Sequence, residues 1–331
     1  MDGFISDLND RARQLVMALD ERYQEWVDQL PAFFRDLASA ESTYSGRPGG
    51  RFYQLSSSVN PVNMHSPWLF WDLFASLDDD QFLNIAEAGA FWSLSAIVLD
   101  HLVDRQIENP PLGALFQLCL LQRSRALFRE IFPLNSQFWL SMARYEAWYT
   151  WSLGVEVDAQ QHPEEFTYEF FAESAQAKAS TMLVTISAFS EATGQLQLLE
   201  PIEKSIRFLA LAGQLYDDLV DWKLDLRNGH VTWVSRQFLP GSDWKPDGGS
   251  AAQQVEENLE ENWQDLDILK DVASRFDQAE EAVRGINCPA WLKFIGGYRE
   301  IILRDQRARA ARYLRKVLPT GIMGYTSQSN E

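Results

Sequence analysis

The 331-residue chain holds only two cysteines, Cys119 and Cys288, and four histidines. Two thiols are too few for a disulfide framework or a cysteine metal site, and they suit reduced core thiols in a cytoplasmic protein. Basic residues are also scarce: 29 Lys and Arg face 47 Asp and Glu, a formal charge of −18. Nonspecific nucleic-acid binding needs a basic footprint, so that class of partner is disfavoured. The N-terminus, MDGFISDLNDRARQ, has acids where a secretory signal would be basic, and no apolar region follows. No uninterrupted apolar run reaches transmembrane length; the nearest, around 85–99, contains Glu87, Ser93 and Ser95. Strand alternation, internal repeats and a Gly-rich dinucleotide loop after a strand are missing too.

What is present is helical periodicity and a wealth of aromatic residues. Leu15, Leu19, Trp26, Leu30 and Phe33 form an apolar stripe over 6–40. AEAGAFWSLSAIVLDHLVDRQ fits a core helix ending near Pro110-Pro111, and further helices are expected over 112–130, 136–158, 166–193 and 201–226. Breaks fall at Pro133, Pro163, Gly194 and Gly229, and 237–250 reads as a surface loop. An acidic stretch at 251–284 reads as one or two solvated helices, and a basic helix over 291–316 closes the pattern. The fold class is therefore all-α: a single helical bundle over 1–318 with a flexible tail at 319–331. With 20 Phe, 12 Trp and 10 Tyr, a large core is expected, and tryptophans beyond its needs are expected to line a cavity.

Two carboxylate sets stand out within apolar helices. Asp217, Asp221 and Asp225 follow one another at steps of four, which turn about 40° each and keep all three on one face along roughly 12 Å of axis. Asp100 and Asp104 form a shorter set upstream. Aligned acids repel one another and are costly to bury without cations. Two such sets facing each other would make an oxygen-lined cage for Mg²⁺ and a bridging polyphosphate.

These residues resemble the motifs of the class I isoprenoid synthase superfamily, which includes terpene synthases and trans-prenyl diphosphate synthases. Asp100-His101-Leu102-Val103-Asp104 resembles the D-D-x-x-D metal motif, with His101 in the second place. The segment from Gln214 to Asp221 resembles the F-Q-x-x-D-D-x-x-D motif of chain-elongating enzymes. Asp217, Asp221 and Asp225 also match the spacing of the terpene-synthase triad N-D-x-x-S-x-x-x-E. Lys178 stands 39 residues before Asp217, much as a diphosphate-contacting lysine does in elongating enzymes, and Arg312-Tyr313 resembles a C-terminal Arg-Tyr pair. Within the superfamily the sequence looks most like the bacterial large-terpene, tetraprenyl-curcumene-type synthases, whose Gly-Gly segment GGRFYQL at 49–55 also resembles.

The resemblance implies an isoprenoid-synthase bundle around a central cavity, with Mg²⁺ as cofactor, about three ions with substrate bound, held by Asp100, Asp104, Asp217, Asp221 and Asp225. Lys178, Arg227, Arg312 and Tyr313 would hold the diphosphate. Phe91, Trp92, Trp148, Trp151, Phe189, Gln214 and Tyr216 would face the prenyl chain, the aromatic faces steadying a carbocation. The implied activity is a terpene synthase acting on a linear prenyl diphosphate. A prenyltransferase using isopentenyl diphosphate or another acceptor is the alternative, and a non-catalytic subunit of a prenyl synthase is a third. His101 in place of an acid, the lone Arg105 after the first motif and the single arginine in Gly49-Gly50-Arg51 weaken elongation. Homodimerisation, common in that superfamily, is compatible with the chain.

Overall fold

The computed structural model describes residues 8–39, 62–162, 165–227, 230–239 and 250–317. The predicted GGRFYQL segment, the breaks at Pro163 and Gly229, most of the 237–250 loop and the 319–331 tail lie outside them. Among the described residues every regular element is a helix. We number the α-helices α1 (Asp10–Asp28), α2 (Ala32–Ser39), α3 (Val62–Leu69), α4 (Trp71–Phe74), α5 (Asp79–Val103), α6 (Pro110–Ile131), α7 (Phe138–Gln161), α8 (Tyr168–Ala177), α9 (Ser180–Ala192), α10 (Leu199–Arg227), α11 (Trp233–Arg236), α12 (Ser250–Glu256), α13 (Gln264–Ala282) and α14 (Pro289–Val317).

The centre of the bundle is α5. Asp78 caps its first turn, accepting from the Gln81 N–H at 2.8 Å while the Gln81 side chain accepts from the Asp78 N–H. From Phe82 to Val98 nearly every side chain is buried, so the helix has no polar face, as expected of one surrounded by α1, α6, α7 and α9. It is long and apolar enough to cross a membrane, but 89% of its most apolar stretch is buried inside the bundle, which marks it as a core helix. Gly89 lets α9 approach: a Cβ there would overlap the side chain of Thr185. The charged exception is Glu87, 4% exposed, which accepts from Arg22 of α1 at 3.1 Å and Arg123 of α6 at 3.0 Å.

Two boundaries differ from the sequence expectation. The Pro110-Pro111 pair starts α6 instead of ending α5, because proline lacks only a donor that the first turn leaves free anyway; Asn109 caps that turn through the Leu112 N–H at 3.3 Å. The turn that ends α5 is made by Arg105, in the left-handed region at φ 59°. The helix expected over 166–193 is two helices, α8 and α9, joined at Lys178 and Ala179. There the backbone tightens into three-residue turns, Ala179 N–H to Gln176 O and Thr181 N–H to Lys178 O, both at 3.2 Å. Tertiary bonds brace the joint: the Trp92 indole donates to the Ser180 carbonyl at 3.2 Å and Ser93 Oγ to the Thr181 carbonyl at 3.0 Å.

On the other side, α10 buries Ile202, Ile206, Leu209, Leu219, Trp222 and Leu226 against α8, α9 and α13. Each such side chain contributes about 1.5–3 kcal/mol by leaving water. α14 packs along α13, and Trp291 donates its indole N–H to Ser205 Oγ of α10 at 2.8 Å.

Candidate active site

The two carboxylate sets meet at one end of the bundle. Asp100 lies in the last turn of α5 and Asp104 is its C-cap, while Asp217, Asp221 and Asp225 run down the final turns of α10. Lys178, at the α8–α9 joint, stands between them: its Nζ is 3.4 Å from Asp100 Oδ1 and 2.8 Å from Glu156 Oε1 of α7. The sets also feel each other's charge, Asp217 that of Asp100 and Asp225 that of Asp104. Helix C-termini carry negative partial charge of their own, so this end of the fold concentrates negative potential twice over.

Burial sets the protonation here and mutual repulsion adds to it. Burial, then Asp217, Asp221 and Asp104, push Asp225 up to about 7. Burial and the charge of Asp221 raise Asp217, and burial and Asp100 raise Asp104. Burial alone would discharge Lys178, but Asp100 and Glu156 outweigh it and hold the ammonium protonated well above its ordinary range. Burial lowers His101 despite Asp100 and Asp104, which leaves a neutral imidazole beside the acids.

This donor set fits Mg²⁺. All its members are carboxylate oxygens, the hard ligands that ion prefers, and the burial and mutual repulsion that raise Asp104, Asp217 and Asp225 are what a bound cation would offset. Among the described residues no three of them stand close enough to enclose a metal ion unaided. Divided ligands of this kind leave coordination positions for water and phosphate oxygens, as Mg²⁺ sites commonly do.

Asp218, the second acid of the double-Asp motif, does something different. It is 4% exposed, accepting from Gln214 Nε2 at 3.0 Å and from the Trp233 N–H, the first of α11, at 3.1 Å. Burial pushes it up to about 7 against the Gln214 hydrogen bond. It ties the segment after α10 back onto that helix, and Gln214 serves this tie. Sequence reasoning also missed Glu156 and His230. The His230 N–H donates to the Asp225 carbonyl at 2.8 Å, and its side chain lies close enough to act on Asp104.

The other predicted residues are distributed more widely. Phe91 packs on Tyr23 and Trp26 of α1, with ring centres at 5.6 and 4.8 Å, and Phe189 on Phe74 and Phe82, both at 4.8 Å. Trp92 is buried and braces the Lys178 joint. Trp148 lies under Arg144 and Arg207 at 5.3 and 5.0 Å, and Trp151 is exposed. Tyr216, next to Asp217, turns its hydroxyl to Asp305 of α14 at 3.5 Å. Tyr313 is buried, donating to Asp265 Oδ2 at 2.6 Å and stacked on Trp263, while Arg309 bridges Asp265 and Asp305 at 3.1 Å each. Arg312 and Arg227 are exposed, the Arg227 Nε donating to the Lys223 carbonyl at 3.1 Å. Grooves of about 560 and 690 Å³ flank the first turns of α10, and none of the predicted aromatic residues lines them.

No family model and no curated sequence matches the chain. Solved structures do. A polyprenyl synthase from Roseobacter denitrificans superposes with a TM-score of 0.60 at 15% identity, over 87% of this chain and 99% of that one. A polyprenyl synthetase from Streptomyces coelicolor A3(2) gives 0.57 at 15% identity, over 90% and 99%. The chain shares the all-α fold of these two proteins.

Proposed function

We propose that the chain is an Mg²⁺-dependent class I terpene synthase that ionises a linear prenyl diphosphate. The observation that carries this is the approach of Asp100 and Asp104 to Asp217 and Asp225, at the ends of two different helices, with Lys178 3.4 Å from Asp100. Bound Mg²⁺ would neutralise the charge that develops on the departing diphosphate. The five aspartates would hold the ions, and Lys178 would donate to a diphosphate oxygen from a backbone fixed by Trp92 and Ser93. The allylic C–O bond breaks with both electrons going to the diphosphate oxygen, and the carbocation ends as a terpene by losing a proton or capturing water.

Chain elongation with isopentenyl diphosphate is the second reading. The two structural relatives are named as polyprenyl synthases, and Gln214 and Lys178 match elongation motifs. The lone Arg105 after the first motif favours a single-substrate reaction instead. Purified protein with Mg²⁺ and prenyl diphosphates from C10 to C35, each with and without isopentenyl diphosphate, separates the two. Diphosphate release and a terpene without the second substrate is the expected result. Products that need isopentenyl diphosphate establish elongation, and a folded protein releasing diphosphate from none of them defeats both.

A further inference from the structure

Glu156 belongs to no motif, yet it makes the shorter of the two contacts to Lys178: 2.8 Å, against 3.4 Å for Asp100. It comes from a third helix, α7, and both ends of the pair are held. One turn before it, the Ser152 carbonyl accepts from Ser174 Oγ of α8 at 3.1 Å, joining α7 to the helix that Lys178 caps. On the far side Trp92 and Ser93 fix the backbone of Ser180 and Thr181. The ammonium is therefore poised on a short tether between two carboxylates, one of which the proposed reaction needs for metal.

We propose that Glu156 is a positioning residue that draws the Lys178 ammonium off Asp100, so that Asp100 can ligate a divalent cation; this rests on the metal-site reading given above. An ammonium lodged on Asp100 and a metal ion bound there repel each other and compete for the negative charge of one carboxylate. Glu156 offers the ammonium a second partner, so the ion displaces a shared contact and not a whole ion pair. The ammonium stays within reach of a diphosphate oxygen, while the negative charge it leaves on Asp100 is met by the metal. Without Glu156, Lys178 turns from a diphosphate donor into an inhibitor of metal binding.

The test is a double-variant cycle read by Mn²⁺ electron paramagnetic resonance, which counts bound ion without substrate or turnover. Glu156→Gln is expected to weaken Mn²⁺ binding about fivefold in the wild-type background and less than about twofold in Lys178→Gln, where there is no ammonium to draw away. Glu156→Asp is expected to restore most of the affinity. An equal loss in both backgrounds would mean that Glu156 acts through its charge alone or through folding, and would overturn the proposal. Wild-type protein that binds no Mn²⁺ overturns both the proposal and the metal-site reading. Non-additive binding without diphosphate release from any prenyl diphosphate leaves the pair's role standing and overturns only the enzymatic reading.

Discussion

Glu87 and Asp217 are acids carried by adjoining parts of one bundle, but their surroundings are opposite. Glu87, deep in α5, receives a guanidinium on each oxygen, Arg22 at 3.1 Å and Arg123 at 3.0 Å. Asp265 is met by Arg309 and Tyr313, both on Oδ2. At the far end of α5, Asp100 shares Lys178 with Glu156, and among the described residues Asp217 and Asp225 have no cation in contact. Arginine meets two of the buried acids, Glu87 and Asp265, while Asp218 is held by Gln214 and the Trp233 N–H; on the proposed reading the aspartates left short of cations take theirs from outside.

That contrast can be broken most sharply at its functional end. Asp217→Ala combined with Asp221→Ala is expected to lower diphosphate release roughly a thousandfold, the scale of losing preorganised charge stabilisation. Its melting temperature should stay level or rise, because repulsion is relieved; a collapse in folding would show these acids to be structural. Glu87→Ala should do the reverse, costing about 3 kcal/mol of unfolding free energy in urea by stranding two partly buried arginines. Wild-type stability with a loss of turnover would erase the distinction.

A smaller effect comes from saturating the metal-free protein with Mg²⁺ and inorganic diphosphate. At a hundredfold excess over the dissociation constant this should add about 2.7 kcal/mol, visible as a raised melting temperature and absent from the Asp217/Asp221 double variant. The smallest is a dependence on pH. Asp225 and Asp218 rise to about 7 in the fold, above the carboxylate range near 3.9 of the unfolded chain. A raised carboxyl favours the fold while protonated, so metal-free stability should fall as pH climbs from about 4 to about 7 and level off above. Asp225→Asn should flatten that slope; an unchanged slope assigns it to other groups.

The aspartates were legible because a step of four is visible in one dimension and has one geometric meaning on a helix. Lys178 was legible through its distance from Asp217. Glu156 was not: it shares a helix only with Asp158 and Glu146 as acidic neighbours, and its meaning arises where α7 meets α8, a contact between residues 22 apart in sequence. Nor was the joint at Lys178, since Ala-Lys-Ala-Ser favours helix locally and is overridden by bonds from Trp92 and Ser93. The surplus of tryptophan pointed toward a cavity, yet Trp68, Trp71, Trp92, Trp222 and Trp291 are core residues. Composition counts aromatic rings but does not say which way they face.

The division of α8 from α9 turns the core into a lever. α9 rests against α5 at the Gly89–Thr185 crossing, where there is no room for even one added methyl group. A side chain at Gly89 would press on Thr185 and so on α9, whose first turn adjoins Lys178. On the proposed reading, residues that touch neither metal nor substrate would thus help set where the ammonium points, and the reach of the site would be written partly in the packing of its scaffold.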